Sequence, residues 1–327
     1  MIEIQYHPKD NCIDDKNLVI IEFELINKSE SDVYVLKRGT PFDGLLNNCF
    51  IVKYNDELDI KYTGALLKSS NYILESDVLH ISGRSNLKKE IIIQNNYHIN
   101  KIGKYSLVFE ISNLVISYDL ESLLNESCIY GSNKIQIDII NPTFFFEVIQ
   151  VYNNKLQYQQ YIFNNSKYVF REVTTHQNIL IEELENEIVS KLDNLQINFD
   201  ALFKLWFGNI NNNLQKISSN YKDIKNKIQS KTIEYRIFED DNTNNDYAVS
   251  VLEFDKIYLY PKFFDRTPKY GFDSQFGTLI HEFSHHACQT EDIERNISCS
   301  KKLALNYPNR AICAANNYEY YSEDLFW

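Results

Sequence analysis

The chain has 327 residues, 44% of them hydrophobic and 24% charged, with 33 Lys and Arg against 45 Asp and Glu for a net charge of −12. That length predicts about two domains, and the composition excludes a disordered or fibrous chain. The acidic balance argues against nucleic acid as a partner, and no apolar run reaches the roughly 18 residues of a membrane span.

In chain order, the start MIEIQYHPKDNC has no basic patch followed by an apolar stretch, so it is not read as a secretory signal peptide. Retention in the cell, export by another route and a trimmed chain are all compatible with it. The first part reads as β. Asn17–Asn27 is a long alternating run, followed by Val33–Leu36, Phe50–Tyr54, Ile60–Tyr62, Ile91–Gln94, Tyr105–Ile111 and Lys134–Ile140. Turn-formers such as Asp43-Gly44 and Ser82-Gly83 separate them. Short strands at this spacing predict an antiparallel, immunoglobulin-like β-sandwich over residues 1–160. Its histidines, His7, His80 and His98, are scattered singly and read as ordinary residues.

The pattern changes near residue 150. Val151–Lys167, polar and without a period, reads as a linker. Gln177–Leu195 has helical spacing, with Ile179, Ile181, Leu184, Ile188 and Leu192 on one face. Asn211–Gln229 reads as a second helix, Lys231–Phe238 and Lys256–Tyr260 as strands of a small sheet, and the region from about 274 onward as helices joined by a loop. Residues 161–327 are thus predicted to be mainly helical, giving a two-domain α+β chain. The six cysteines show no CxxC or zinc-finger spacing and are expected to be mostly free.

One segment carries chemistry. His281-Glu282-Phe283-Ser284-His285 is an HExxH match. On a helix, positions i and i+4 share a face, so both histidines can turn a nitrogen toward one metal ion. Glu282 is placed to hold a metal-bound water, take its proton and pass it to a leaving amine. Phe276, Ile280, Phe283 and Ala287 would bury the opposite face, and Asp273 or Ser274 could cap the start. His286 lies off the ligand face. A catalytic zinc needs a third protein ligand and an open position. Cys288 and Glu291 stand where a metzincin would have Gly and His, which removes that class. Asp292, or Glu319 or Glu323 further on, remains as the third ligand.

Gly277-Thr278-Leu279-Ile280-His281-Glu282-Phe283-Ser284-His285 resembles the GTLIHExSH segment of the deuterolysin, or aspzincin, metalloendopeptidases, especially their peptidyl-Lys branch. Trp206-Phe207-Gly208, Leu303-Ala304, Pro308, Ala311 and Ala314 to Tyr321 are similar to further motifs of that branch. Leu36 to Gly44 resembles a stretch of the family's β-rich pro-domain. The resemblance implies a zincin-like catalytic domain with one zinc held by His281, His285 and Asp292, and Glu282 as general base. It implies a pro-domain able to cover the active site in cis, protein or peptide substrates, and secretion. It also implies a pocket for a substrate lysine at Asn316 and Glu319, with cleavage on the lysine's N-terminal side. Asn316 replaces a family Asp, and Arg295 replaces the family tyrosine that helps hold the oxyanion. Lysines 155 and 167 in the linker offer bonds for self-processing. The rivals are a decayed module that binds only zinc or a protein partner, and a zinc peptidase with a glutamate as third ligand.

Overall fold

The computed structural model of the chain describes residues 1–13, 19–68, 73–125, 135, 137–140, 142–148, 170–238, 246–294 and 296–327. Arg295 and the linker 151–167, with its two lysines, lie outside them. The chain divides into two compact units, Met1–Ala65 with Tyr72–Lys167, and Leu66–Asn71 with Tyr168–Trp327.

The first half of the chain carries β1 (Ile2–Ile13), β2 (Val19–Asn27), β3 (Val33–Leu36), β4 (Phe50–Tyr54), β5 (Leu58–Asp59), β6 (Ala65–Lys68), β7 (Val78–Ile81), β8 (Asn86–Ile92), β9 (Gly103–Phe109), β10 (Ile116–Ser117), the short helix α1 (Leu120–Leu124), β11 (Ile137–Ile140) and β12 (Phe144–Val148). Three sheets of the first unit have the orders β11-β1-β2-β8, β10-β3-β7 and β12-β9-β4-β5. Their described pairings are antiparallel except β1 with β11, which is parallel. Strand β2 shows why this region folds as sheet. Val19, Ile21, Phe23 and Leu25 point inward at every second residue, the period of a strand with one buried face. Phe23 packs against Phe109, Phe50 and Phe42 with ring centroids 5.0, 6.3 and 6.2 Å away.

The second unit contains β13 (Phe170–Glu172), α2 (Thr175–Asp193), α3 (Ala201–Phe207), α4 (Asn213–Gln229), β14 (Glu234–Phe238), β15 (Ala248–Val251), β16 (Lys256–Leu259), α5 (Pro261–Asp265), α6 (Gln275–Cys288), α7 (Ile297–Asn306), α8 (Pro308–Ala311) and α9 (Ala315–Phe326). A capping box starts α2: the Thr174 hydroxyl accepts from the Gln177 amide, and the Gln177 side chain accepts from the Thr174 amide. Ile181, Leu184, Ile188 and Leu192 are buried as the period predicts, but Ile179 is half exposed. Two residues advance a helix by about 200°, so Ile179 faces away from Ile181.

Two differences from the sequence reading matter. Its boundary near residue 160 ignores Leu66–Asn71, which belongs to the second unit. The reason is pairing: the sheet order is β13-β14-β16-β15-β6, so β6 forms the edge strand of the second unit's sheet beside β15. Strands β6, β13 and β15 are also absent from the reading. Among the described cysteines, Cys49, Cys288 and Cys313 are free, whereas Cys299 is disulfide-bonded, which the spacing does not predict.

Candidate metal centre

Helix α6 is the central element of the site. The Ser274 hydroxyl caps it, accepting from the Gly277 amide at 3.0 Å, and Gln289 ends it in the left-handed region at φ 57°. The sequence predicts one buried face, yet every residue from Gln275 to His285 is buried. The ligand face is therefore packed as well as the apolar one. Gly277 packs closely against α9: a Cβ there would fall 1.9 Å from Glu323 Oε1 and force that side chain to move. Glu323 accepts from the Ser274 hydroxyl at 2.6 Å and the Ser274 amide at 2.9 Å, which anchors the helix start.

His281 and His285 lie one turn apart, as the HExxH spacing requires. The loop after α6 returns Asp292 to them. It is held by a parallel bridge between Glu291 and Ala314, with Glu291 N donating to Cys313 O at 2.7 Å and Ala315 N to Glu291 O at 3.0 Å. Asp292 Oδ1 lies 2.7 Å from His281 Nε2, and Oδ2 lies 3.5 Å from His285 Nε2. Each of the three residues offers one ligand atom, and these atoms all lie within 4.8 Å of one another. Among the described residues, that group includes neither Glu319 nor Glu323.

The other ring nitrogens are fixed from behind. His285 Nδ1 lies 2.7 Å from the Thr290 carbonyl, and His281 Nδ1 lies 3.1 Å from Glu319 Oε2. A carbonyl and a carboxylate at Nδ1 favour the tautomer whose Nε2 lone pair is free for a metal. Glu319, read from sequence as pocket or ligand, thus reaches the ring nitrogen away from Asp292. Its second oxygen binds the Lys68 ammonium. Burial acts to raise its pKa, but Lys68 and His281 outweigh this and hold it low.

Glu282 is fully buried. Ser250 on β15 donates to its Oε2 at 2.6 Å, while its Oε1 and His285 Nε2 have no hydrogen-bond partner. Burial pushes Glu282 up to about 7; Asp292 adds to the shift, and His285 and the Ser250 hydroxyl oppose it. Buried polar atoms left in this way call for an explanation. A cation bound by two imidazoles and a carboxylate, with a water beside Glu282, supplies one. The donor set fits zinc, which takes nitrogen and oxygen ligands and keeps an open position in catalytic sites.

Among the remaining sequence candidates, His286 faces Asp255 at 3.5 Å and is a neighbour only. Asn316 is buried on α9 one turn before Glu319. Lys68 and Ser250 are absent from the sequence reading. They lie 251 and 32 residues from their glutamate partners, and no local motif marks either.

Residues 198–323 match the family model described as lysine-specific metallo-endopeptidase, the aspzincins. Over these residues the chain is similar to the aspzincins. Peptidyl-Lys metalloendopeptidases of Armillaria mellea and Grifola frondosa are 45% and 40% identical over 74 and 73 residues, 22% of this chain and 21% of each relative. An extracellular protease of Aeromonas hydrophila is 28% identical over 127 residues, 37% of this chain and 35% of that one. The chain thus spans about a fifth to a third of the curated relatives it matches. A solved zinc peptidase from Grifola frondosa aligns over 47% of this chain and 98% of its own, with 26% identity and a TM-score of 0.40. The family match covers α3 through most of α9, and so every residue of the candidate metal centre. No helix among the described residues is long and apolar enough to cross a membrane.

Proposed function

We propose that the chain is a zinc-dependent metalloendopeptidase that cuts peptide bonds on the N-terminal side of lysine. The observation that carries this reading is the convergence of His281, His285 and Asp292 beside the Glu282 carboxylate. Those three residues hold one zinc ion, which when bound supplies Lewis acidity to polarise the scissile carbonyl and acidify water. Glu282 does the proton work. Ser250 occupies Oε2, so Oε1 accepts a proton from the attacking water. The water oxygen bonds to the carbonyl carbon, the C–N bond breaks, and the proton passes to the leaving amine. Glu319 and the Thr290 carbonyl hold the two imidazoles in register throughout. Arg295 is assigned to the oxyanion. Asn316 and Glu319 are assigned to the lysine pocket, where one carboxylate suffices to pair an ammonium.

The first unit is read as a pro-domain of immunoglobulin-like sandwich type, by the likeness of Leu36 to Gly44. Secretion is read from the extracellular protease of Aeromonas. The test is a digest of denatured protein by the zinc-loaded chain, with every new N-terminus read by mass spectrometry beside a Glu282→Gln control. New termini beginning with lysine, absent from the control, are the expected result. Termini beginning with other residues would leave the mechanism and remove the lysine assignment. No cleavage by any zinc-loaded preparation, the Lys68 variants below included, would leave only a zinc-binding module.

A further inference from the structure

The metal centre is closed. His281, Glu282 and His285 have no exposed surface and Asp292 is 8% exposed, whereas an endopeptidase has to admit a polypeptide. What lies beside it within the second unit is Leu66–Lys68 of β6. Strand β6 adds to the outer edge of β15, the strand that carries Ser250, and the Tyr247 amide donates to the Lys68 carbonyl at 3.2 Å. Adding an extended segment to a sheet edge is a common way for a domain to take a peptide.

Lys68 is the only buried lysine among the described residues. Its ammonium is bound by the Glu319 oxygen that does not face His281. Burial alone would lower its pKa, but Glu319, Asp273 and Glu323 together keep it raised, so the side chain is a full cation. The Tyr247 ring lies 5.1 Å from it. The surroundings therefore have the features of a lysine-binding pocket: one carboxylate in direct contact, two more acidic groups within electrostatic range and an aromatic face. A single carboxylate joins this pocket to the ring of His281. A lysine bound at Glu319 is thus one side chain away from the candidate metal.

We propose that Leu66–Lys68 is an internal substrate mimic: β6 takes the place of a bound peptide strand on β15, and Lys68 fills the pocket that recognises a substrate lysine. The proposal rests on the peptidase reading for its consequence, which is self-inhibition. It stands without that reading as a statement about the pocket. A peptide has to displace Lys68, so its apparent affinity falls by the fraction of molecules in which the pocket is free.

The test uses the full zinc-loaded chain, its Lys68→Ala and Lys68→Gln variants, and lysine amide as probe with norleucine amide as control. Calorimetry and thermal shift are expected to show lysine amide binding to the variants, raising their melting temperature, and not to the wild type; norleucine amide binds none of them. On a peptide with one X–Lys bond, the variants are expected to exceed the wild-type kcat/KM by about tenfold or more, with lysine amide as an inhibitor. Lys68→Gln retains most of the side-chain volume and serves if Lys68→Ala does not fold. Lysine amide binding to the variants without cleavage by any form supports the pocket and overturns the peptidase reading. Cleavage before lysine by the wild type, unchanged in variants that do not bind lysine amide, supports the peptidase and overturns the mimic.

Discussion

The two units differ in how many ionisable groups they bury. The first is stabilised by apolar and aromatic packing around Phe23; it buries few charged side chains, Glu24 and Arg38 among the described residues, and most of its buried amides and hydroxyls find backbone partners. Asn27 donates to the carbonyls of Ser31 and Ile81, Thr40 to that of Lys37, and Asn96 to that of Leu45. The second has an equally apolar core around Trp206, Phe207 and Tyr318, and yet it buries His281, Glu282, His285, Asp292, Glu319, Glu323 and Lys68 against it. Buried ionisable groups destabilise unless each finds a partner, and several of those in the second unit are coupled through shared carboxylates. Glu319 serves both His281 and Lys68, and Asp292 serves both histidines. The lesson is that a packed interior can hold a reactive centre only where its charges are arranged around one another. That arrangement makes the second unit sensitive to small polar changes that the first unit would tolerate.

The comparison can be broken most directly at the metal. His281→Ala or Asp292→Ala is expected to reduce bound zinc from about one per chain to a small fraction, read by elemental analysis after dialysis, because two ligands no longer close a site. Chelation of the wild type should lower its melting temperature, since metal binding contributes to stability. Glu282→Gln is expected to keep the zinc and lose about 10³-fold in kcat on a peptide substrate, the range for loss of a general base. Glu319→Gln should weaken zinc binding by about 10- to 100-fold in a competitive chelator titration, since it removes the carboxylate behind His281.

In the first unit the expected response is of another kind. Phe23→Ala should cost about 3–5 kcal/mol in denaturant unfolding and leave zinc content unchanged; a loss of zinc would show that the two interiors are coupled. The smallest effect is assigned to Ser250→Ala. It frees Glu282 Oε2 and should lower kcat by about tenfold, a loss of roughly 1.4 kcal/mol in the transition state, with KM held. A rise in KM alone would instead place Ser250 in substrate binding.

Some of this was legible in the sequence because it is local. The i, i+4 histidines, the Ser274 cap and the inward period of β2 depend on residues within a turn or a few positions of one another, and the structure reproduces each. Resemblance singled out Asp292 where spacing alone left two glutamates in competition, and geometry puts its carboxylate beside both histidines. Ile179 shows the limit of a period read too generously. The short strands β6 and β15, with Lys68 and Ser250 on them, were missed; their pairing joins segments far apart in the chain.

The sequence by itself therefore determined a helix with two histidines on one face and a glutamate beside them, since backbone geometry fixes those positions at short range. Only the tertiary structure decided that Glu319 lies behind His281 and that Ser250 takes one oxygen of Glu282. It alone placed a lysine 251 residues away against that same Glu319 carboxylate. Such contacts follow from the pairing of β6 with β15 and the packing of α9 on α6. Long-range pairing of this kind is set by the whole fold and leaves no periodic trace along the chain.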